Sequence, residues 1–235
     1  MADQTVNPAD APDATLGGLS DVEAVRLLSG ADAWTFEAAP EVGVGPVRVA
    51  DGPHGLRVQA SGSLTGPKAP TTPATCFPTA VTLAASWDRD LAHEVGVALA
   101  EECHDQGVDV LLGPGLNIKR HPFGGRNFEY FSEDPYLSGT LAAAVTQGLQ
   151  SHGVGAGLKH FAAHNHQTYR NVADAVVDPR TLRELYLRAF EIAVRDGRPW
   201  TVMCSYNLLN GAHCCEDHFL LSRVLRQDWG FDGVV

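Results

Sequence analysis

Several apolar runs of this chain end in side chains that could bind a small polar molecule. The clearest run, residues 154–158, is followed directly by Lys159 and His160, a cation and an imidazole. Another run ends at Asp51, and Arg57 follows after a stretch that contains two glycines. A carboxylate there can accept hydrogen bonds from two neighbouring hydroxyl groups, and the cations add donors. The alternative for the Asp51 stretch is a plain turn with a solvated arginine.

The segment 113–135, which reads GPGLNIKRHPFGGRNFEYFSEDP, is too long for an ordinary connection between a strand and a helix. Arg126 lies within it among aromatic residues, and Glu129 follows three positions later. An arginine held by Glu129 and directed into a pocket could donate hydrogen bonds to hydroxyl groups. The alternative is a structural ion pair that fixes the loop. We expect Glu129 and Asp134 to anchor the loop and not to act as catalytic acids.

Met203 and Tyr206 bracket the end of a further apolar run. Met203 alone would be interpreted as core packing. Together with Tyr206 it could form one wall of a binding site, in which the phenol offers a hydrogen bond to a nearby carboxylate.

Three histidines, His160, His164 and His166, form the pattern H-x3-H-x-H, which resembles metal-ligand spacing. No carboxylate ligand accompanies them, and Lys159 would place a positive charge beside the metal. We therefore predict no metal and no cofactor. A metal-dependent barrel hydrolase remains the alternative that this spacing leaves open.

The elements that must position these residues alternate between strands and helices. Apolar strands begin at Val108, Val154 and about Trp200, which are 46 residues apart, with a helix between each pair. This alternation predicts parallel strands with right-handed crossovers, and the carboxyl ends of such strands carry the active site of a (β/α) barrel. A doubly wound open sheet would alternate in the same way, but no G-x-G-x-x-G follows a strand here.

Residues that cap helices mark where three helices begin: Ser20, Asp134 and Asp178. A further helix is predicted to begin near Asp88. The helix after Asp88 has an apolar residue at every fourth position, which predicts one buried face made of Leu91, Val95, Leu99 and Cys103.

Composition restricts the class of protein. The chain has 235 residues, of which 44% are hydrophobic, and this is enough to bury the core of one domain. Its net charge of −11 argues against nucleic acid as a partner, since phosphate binding needs a basic surface. Residues 1–17 are predicted to be a flexible leader ahead of one barrel domain at 18–235.

No signal sequence and no apolar run of membrane-spanning length is visible, which predicts a cytoplasmic protein without a membrane partner. The five cysteines lack metal-like spacing and are expected to be reduced. The oligomeric state is left open.

Taken together, the motifs resemble the catalytic barrel of the family-3 glycoside hydrolases, the β-glucosidase family, from about Leu19 to Val235. The similar stretches are DGPHGLR (51–57), FPTAVTLAASWD (77–88), the segment 113–135, GLKHF (157–161), RTLRELYLRAFEIAV (180–194), TVMCSYNLLNG (201–211) and WGFDGVV (229–235). The resemblance implies a (β/α)8 TIM-type barrel that is incomplete, with its C-terminal strands and the following α/β sandwich domain absent.

The resemblance also implies roles for individual residues. The subsite for the non-reducing sugar would be lined by Asp51, Arg57, Arg126, Lys159, His160 and Tyr206, with Met203 on its wall. The family is retaining and uses two carboxylates about 5 Å apart. The nucleophilic Asp would follow just after Val235 and the acid/base Glu would lie in the absent domain. Asp232 precedes its strand and so would face the wrong end of the barrel. No catalytic residue is therefore expected within the chain, and we expect the chain alone to be inactive.

The expected activity of the full-length enzyme is release of terminal non-reducing β-D-glucosyl residues from a small β-glycoside or oligosaccharide. β-Xylosidase activity is the near alternative, because the two substrates differ by one hydroxymethyl group. A carbohydrate-binding remnant without catalysis is another. The run His164-Asn165-His166-Gln167 departs from the Asn-Asn-Gln-Glu common in the family, which leaves the substrate open.

Overall fold

The structure is a computed structural model that describes residues 19–59 and 70–235. The predicted leader at 1–17 lies outside the described residues. The strands are β1 (Val49–Asp51), β2 (Val110–Leu112), β3 (Gly155–Phe161), β4 (Asp174–Ala175), β5 (Thr201–Cys204), β6 (Leu208–Leu209) and β7 (Ala212–His213). The helices are α1 (Asp21–Arg26), α2 (Ala80–Ala84), α3 (Arg89–Asp105), α4 (Pro135–Ser151), α5 (Pro179–Thr181), α6 (Arg188–Gly197) and a π-helix at Phe219–Asp228.

The predicted caps begin their helices as expected. Ser20 and Glu23 form a reciprocal capping box at α1. The carboxylates of Asp88, Asp134 and Asp178 each accept hydrogen bonds from two backbone N–H groups at the start of α3, α4 and α5. Between α5 and α6 the chain stays helical through a π-helical turn, Leu182–Tyr186. Short polar side chains thus satisfy the free N–H groups of the first turns.

Four strands form one parallel sheet in the order β1-β2-β3-β5. Beyond β5, Val234 makes a parallel bridge to Thr201 and so continues the sheet. The helices α3, α4 and α6 connect successive strands, and α4 packs against both of the others. The predicted barrel architecture is confirmed, and the described sheet is an incomplete barrel of the (β/α)8 type. The strands β4, β6 and β7 form a small separate sheet.

The predicted buried face of α3 is only half right. Leu99 and Cys103 are fully buried, but Leu91 is 39% exposed. The buried face instead runs along Ala92, Gly96, Leu99, Ala100 and Cys103. The reason is a close contact between backbones, because Gly96 of α3 lies against Gly148 of α4. This contact selects the face of α3 that turns inward, and a count of apolar positions does not reveal it.

We expect Gly148→Ala to destabilise the fold by about 3 kcal/mol, although alanine favours a helix by about 1 kcal/mol over glycine. A Cβ at this position would lie 2.2 Å from the carbonyl oxygen of His93, which is backbone and cannot move aside easily. Urea denaturation measures the change. As the control, Gly45→Ala adds a Cβ with no described atom within 4 Å and should change the free energy of unfolding by less than about 0.5 kcal/mol. Equal effects of the two substitutions would contradict the close contact.

Candidate functional site

Asp51 and Arg57 face each other across a tight turn at the carboxyl end of β1. The Arg57 N–H donates to the backbone carbonyl of Asp51 at 2.9 Å, and Nη2 of Arg57 lies 2.5 Å from Oδ2 of the carboxylate. The turn depends on Gly52, which has a φ of +117° and where a Cβ would lie 2.1 Å from the carbonyl oxygen of Gly55. The glycines therefore let the chain fold back far enough for the arginine to reach the carboxylate.

Lys159 joins this pair to the long loop. Its ammonium group is 2.6 Å from Oδ1 of Asp51 and 3.9 Å from Oε2 of Glu129, and its side chain is only 2% exposed. Glu129 in turn forms an ion pair with Arg126, as predicted. Three cations and two carboxylates thus alternate along one network, in the order Arg57, Asp51, Lys159, Glu129 and Arg126. The network has one net positive charge. Such a network fixes the donor groups of the site in place before any ligand binds.

The long loop is held against β3 by backbone contacts. The N–H of Leu116 donates to the carbonyl of Lys159, and Gly115 bridges to both Lys159 and Tyr130. The side chain of Asn117 accepts from the N–H of His160 at 2.7 Å and donates to its carbonyl at 2.8 Å. The loop that carries Arg126 is therefore fixed directly to the end of β3.

His160 is almost fully buried and has one free ring nitrogen. Its Nδ1 lies 3.0 Å from the hydroxyl of Tyr130, whereas Nε2 has no partner among the described residues. The register between β3 and β5 shifts between Leu158 and Phe161, an irregularity of the kind that redirects side chains. A buried imidazole nitrogen without a partner is ready to hydrogen-bond a ligand.

The charges of the site follow from burial and from the cations. Burial alone would raise the pKa of Asp51, but Lys159 and Arg57 together hold it below its usual value. Burial lowers the pKa of His160 well below its usual value, and the nearby cations Arg126 and Lys159 act in the same direction. Asp51 is therefore ionised and His160 neutral at neutral pH.

This neutral His160 predicts a pH-dependent stability. In the unfolded chain a histidine binds a proton below about pH 6.5, and the buried ring does not. The contribution of His160 to the free energy of unfolding is therefore fully present above that pH and decreases as the pH decreases. The slope is up to about 1.4 kcal/mol per pH unit. Urea denaturation between about pH 7 and pH 5 should show that His160→Gln reduces the slope by this amount.

A control separates titration from the loss of a hydrogen bond. Tyr130→Phe removes the partner of Nδ1 but leaves the titrating ring, so it should lower stability at every pH and keep the slope. His54 and His164 also have pKa values that burial lowers, so the wild-type slope contains their contributions. An unchanged slope in His160→Gln would contradict the prediction for His160.

Met203 and Tyr206 lie at the end of β5, as expected. Cys204 pairs with Phe161, so Met203 stands beside the end of β3, and its side chain is half-buried. Tyr206 is 38% exposed, and its ring centroid is 5.6 Å from that of His160. The guanidinium carbon of Arg170 lies 4.0 Å from the centroid of the Tyr206 ring, on its face. The expected hydrogen bond from the phenol to a carboxylate is not among the contacts of the described residues.

The seven predicted residues thus gather at the carboxyl ends of neighbouring strands and in the adjoining loop. Sequence reasoning missed three supporting residues: Asn117, Tyr130 and His164. The first two were visible as polar residues of the long loop, but no pattern identified their partner. His164 was considered as a metal ligand and as part of a run that departs from the family pattern, but not as a neighbour of His160.

The structure separates the three histidines of the H-x3-H-x-H pattern. His160 and His164 are buried with ring centroids 5.1 Å apart, whereas His166 is exposed. Within residues 19–59 and 70–235, no three His, Cys, Asp or Glu side chains are placed to hold one metal ion. All five cysteines are free thiols. Asp232 lines a cleft with Arg198 and Pro199, which precede β5, so it lies at the amino ends of the strands.

No helix in the described part of the chain has the length and apolar character to cross a membrane.

Comparisons with known proteins agree with this geometry. The family model described as the glycosyl hydrolase family 3 N-terminal domain matches residues 49–235. Thermostable β-glucosidase B of Acetivibrio thermocellus is 53% identical over 213 residues, which are 91% of this chain and 28% of that protein. An exo-α-(1→6)-L-arabinopyranosidase of Bifidobacterium longum is 52% identical over 214 residues, again 91% of this chain and 28% of that protein.

Among solved structures, β-glucosidase 3B from Thermotoga neapolitana in complex with glucose superposes with a TM-score of 0.87 at 44% identity. The match covers 94% of this chain and 33% of that one. The chain thus spans less than a third of the length of the curated relatives. The chain belongs to glycosyl hydrolase family 3.

Proposed function

We propose that this chain supplies the subsite that holds the terminal non-reducing sugar of a β-glycoside, and that the enzyme containing it releases β-D-glucose. The observation that carries the proposal is the ionised Asp51 between Arg57 and Lys159. His160, which follows Lys159 in β3, adds an Nε2 without a partner among the described residues. Such an array matches a pyranose, whose hydroxyl groups donate and accept in fixed directions. A glycosidase activity agrees with family membership, since relatives are β-glucosidases.

The carboxylates of the network suit binding and not bond cleavage. A retaining glycosidase needs one carboxylate as nucleophile and one carboxylic acid as proton donor, about 5 Å apart. Asp51 carries a lowered pKa and two cationic partners, so it is a poor proton donor and a weak nucleophile. Glu129 is buried and held by Arg126. We infer that the double displacement uses carboxylates other than these two.

Hydrolysis of 4-nitrophenyl glycosides by the full-length protein tests the proposal. We expect kcat/KM for the β-D-glucopyranoside to exceed that for the β-D-xylopyranoside, and the released sugar to retain its β configuration by NMR. A protein that cleaves neither glycoside, and that shows no heat on titration with glucose, would overturn the proposed function.

A second substrate class deserves an assay because of one relative. The arabinopyranosidase of Bifidobacterium longum is 52% identical to this chain, nearly as similar as the β-glucosidase from Acetivibrio thermocellus. α-L-Arabinopyranose is a pyranose without a hydroxymethyl group, as is xylose. A kcat/KM that is higher for 4-nitrophenyl α-L-arabinopyranoside than for the glucoside would assign this activity instead.

We expect residues 1–235 expressed alone to release no 4-nitrophenol from the β-glucoside above the rate in buffer. The reason is that both carboxylates of the described site are engaged by cations and neither fits the role of proton donor. A continuous absorbance assay at neutral pH measures the rate. Turnover by this chain that Asp51→Ala abolishes would show that the network itself performs the chemistry.

A further inference from the structure

His164 lies in the candidate site but has no part in the charge network. Its side chain is 3% exposed, and its ring packs against His160 and Tyr206 with centroid distances of 5.1 and 5.8 Å. It therefore shares an aromatic wall with two of the predicted sugar contacts. A buried histidine in such a place needs partners for both of its ring nitrogens.

Only one of these nitrogens has a partner. The Nε2 of His164 lies 3.3 Å from Oε1 of Gln167, an acceptor, so the proton of the neutral ring belongs on Nε2. The Nδ1 is then a hydrogen-bond acceptor, and it is buried without a partner among the described residues. Burial lowers the pKa of His164, and side-chain contacts with Gln167 and Asn207 oppose this. Arg126 lowers the pKa further, so the ring is neutral at neutral pH.

Arg126 offers the complementary group. Its Nε is used by Glu129, but its Nη1 is buried and has no partner in the described part of the chain. Arg126 and His164 line the same small cavity between the long loop and the loop after β3. The cavity has a volume of about 10 Å³, close to what a single oxygen atom of water size requires.

Two residues that line this oxygen-sized space thus carry an unpartnered donor and an unpartnered acceptor, a combination that matches a hydroxyl group. The hydroxyl oxygen would accept from Nη1 of Arg126, and its proton would go to Nδ1 of His164. We propose that His164 is a specificity-determining residue that accepts a hydrogen bond from one hydroxyl group of the terminal sugar. This inference rests on the proposed function. It adds His164 to the residues that the sequence motifs assigned to the sugar.

The test combines deletion of single hydroxyl groups from the substrate with removal of the acceptor from the protein. The full-length protein is assayed with 4-nitrophenyl β-D-glucopyranoside and its 2-, 3-, 4- and 6-deoxy analogues. The variant His164→Phe keeps an aromatic ring against His160 and Tyr206 but has no acceptor. His152→Phe makes the same change at an exposed histidine that directly follows α4, away from this cavity, and serves as the matched control.

We expect the wild type to lose kcat/KM on the order of 10- to 100-fold for the analogue that lacks the contacted hydroxyl. In His164→Phe this penalty should shrink by about fivefold or more but not vanish, because the hydroxyl still accepts from Arg126, while the penalties of the other analogues stay. His152→Phe should keep the wild-type pattern. His164→Leu also removes the acceptor, and its side chain has a different shape from phenylalanine. The same result in both variants would show that the effect does not come from a packing defect of one of them.

Two outcomes overturn the inference in different ways. If His164→Phe and His164→Leu keep every deoxy penalty and only melt at a lower temperature, His164 has a structural role alone and the inference fails without the proposed function. If the wild type discriminates against none of the analogues, the proposed sugar subsite fails together with the inference.

Discussion

Asp51→Ala is expected to lower kcat/KM for 4-nitrophenyl β-D-glucopyranoside about 1,000-fold in the full-length protein. The carboxylate is ionised and oriented by Arg57 and Lys159, so it can accept charge-assisted hydrogen bonds from two hydroxyl groups of the sugar. The substitution removes both bonds and leaves a buried ammonium group without its nearest anion. Calorimetric titration with glucose should show the same loss as an absence of heat.

The matched control is Asp109→Ala. Asp109 also adjoins a strand of the sheet and also uses its carboxylate, which accepts from the N–H of Arg48 at 2.7 Å. It precedes β2, however, and so lies at the opposite end of the sheet from Asp51. Activity should stay within about threefold of the wild type, because the change does not touch the site. A loss of less than tenfold in Asp51→Ala would contradict the assignment of this carboxylate to the sugar.

Lys159→Met is expected to lower the free energy of unfolding by about 3 to 5 kcal/mol, because it leaves two carboxylates with one cation fewer in a buried place. Lys159 is among the largest fully buried side chains of the protein, and it contacts Asp51 and Glu129 at the same time. Methionine fills a similar volume, so the effect reports the charge and not a cavity. Urea denaturation at neutral pH measures it.

Lys119→Met tests whether the loss of any partly buried lysine has this effect. Its ammonium group donates to the carbonyl of Phe131 at 3.1 Å, and no carboxylate is recorded beside it in the described structure. After the substitution water can donate to this carbonyl in place of the ammonium group. We therefore expect the free energy of unfolding to fall by about 1 kcal/mol. If the free energy of unfolding falls equally in Lys159→Met and Lys119→Met, the ion pairs of Lys159 do not stabilise the fold more than a single neutral hydrogen bond does.

The sequence allowed the candidate site to be predicted because each strand end had its own local signal. Asp51, Lys159 and Tyr206 stand next to apolar runs, and parallel strands bring their carboxyl ends to one edge of the sheet. The family resemblance added the role of these residues, and of Arg126 and His160, in binding one sugar. The partners of these residues could not be predicted in the same way. Asn117 contacts His160 across 43 positions of the chain, and no periodicity encodes such a pair.

By itself, the sequence determined the alternation of strands and helices, the caps that begin the helices and the edge of the sheet where the polar residues gather. These features depend on spacing and on neighbouring residues. Only the tertiary structure decided which face of α3 is buried, because a glycine contact with α4 overrides the apolar pattern. It also decided that Lys159 bridges Asp51 and Glu129, since the position of a charge between two others depends on how distant segments pack.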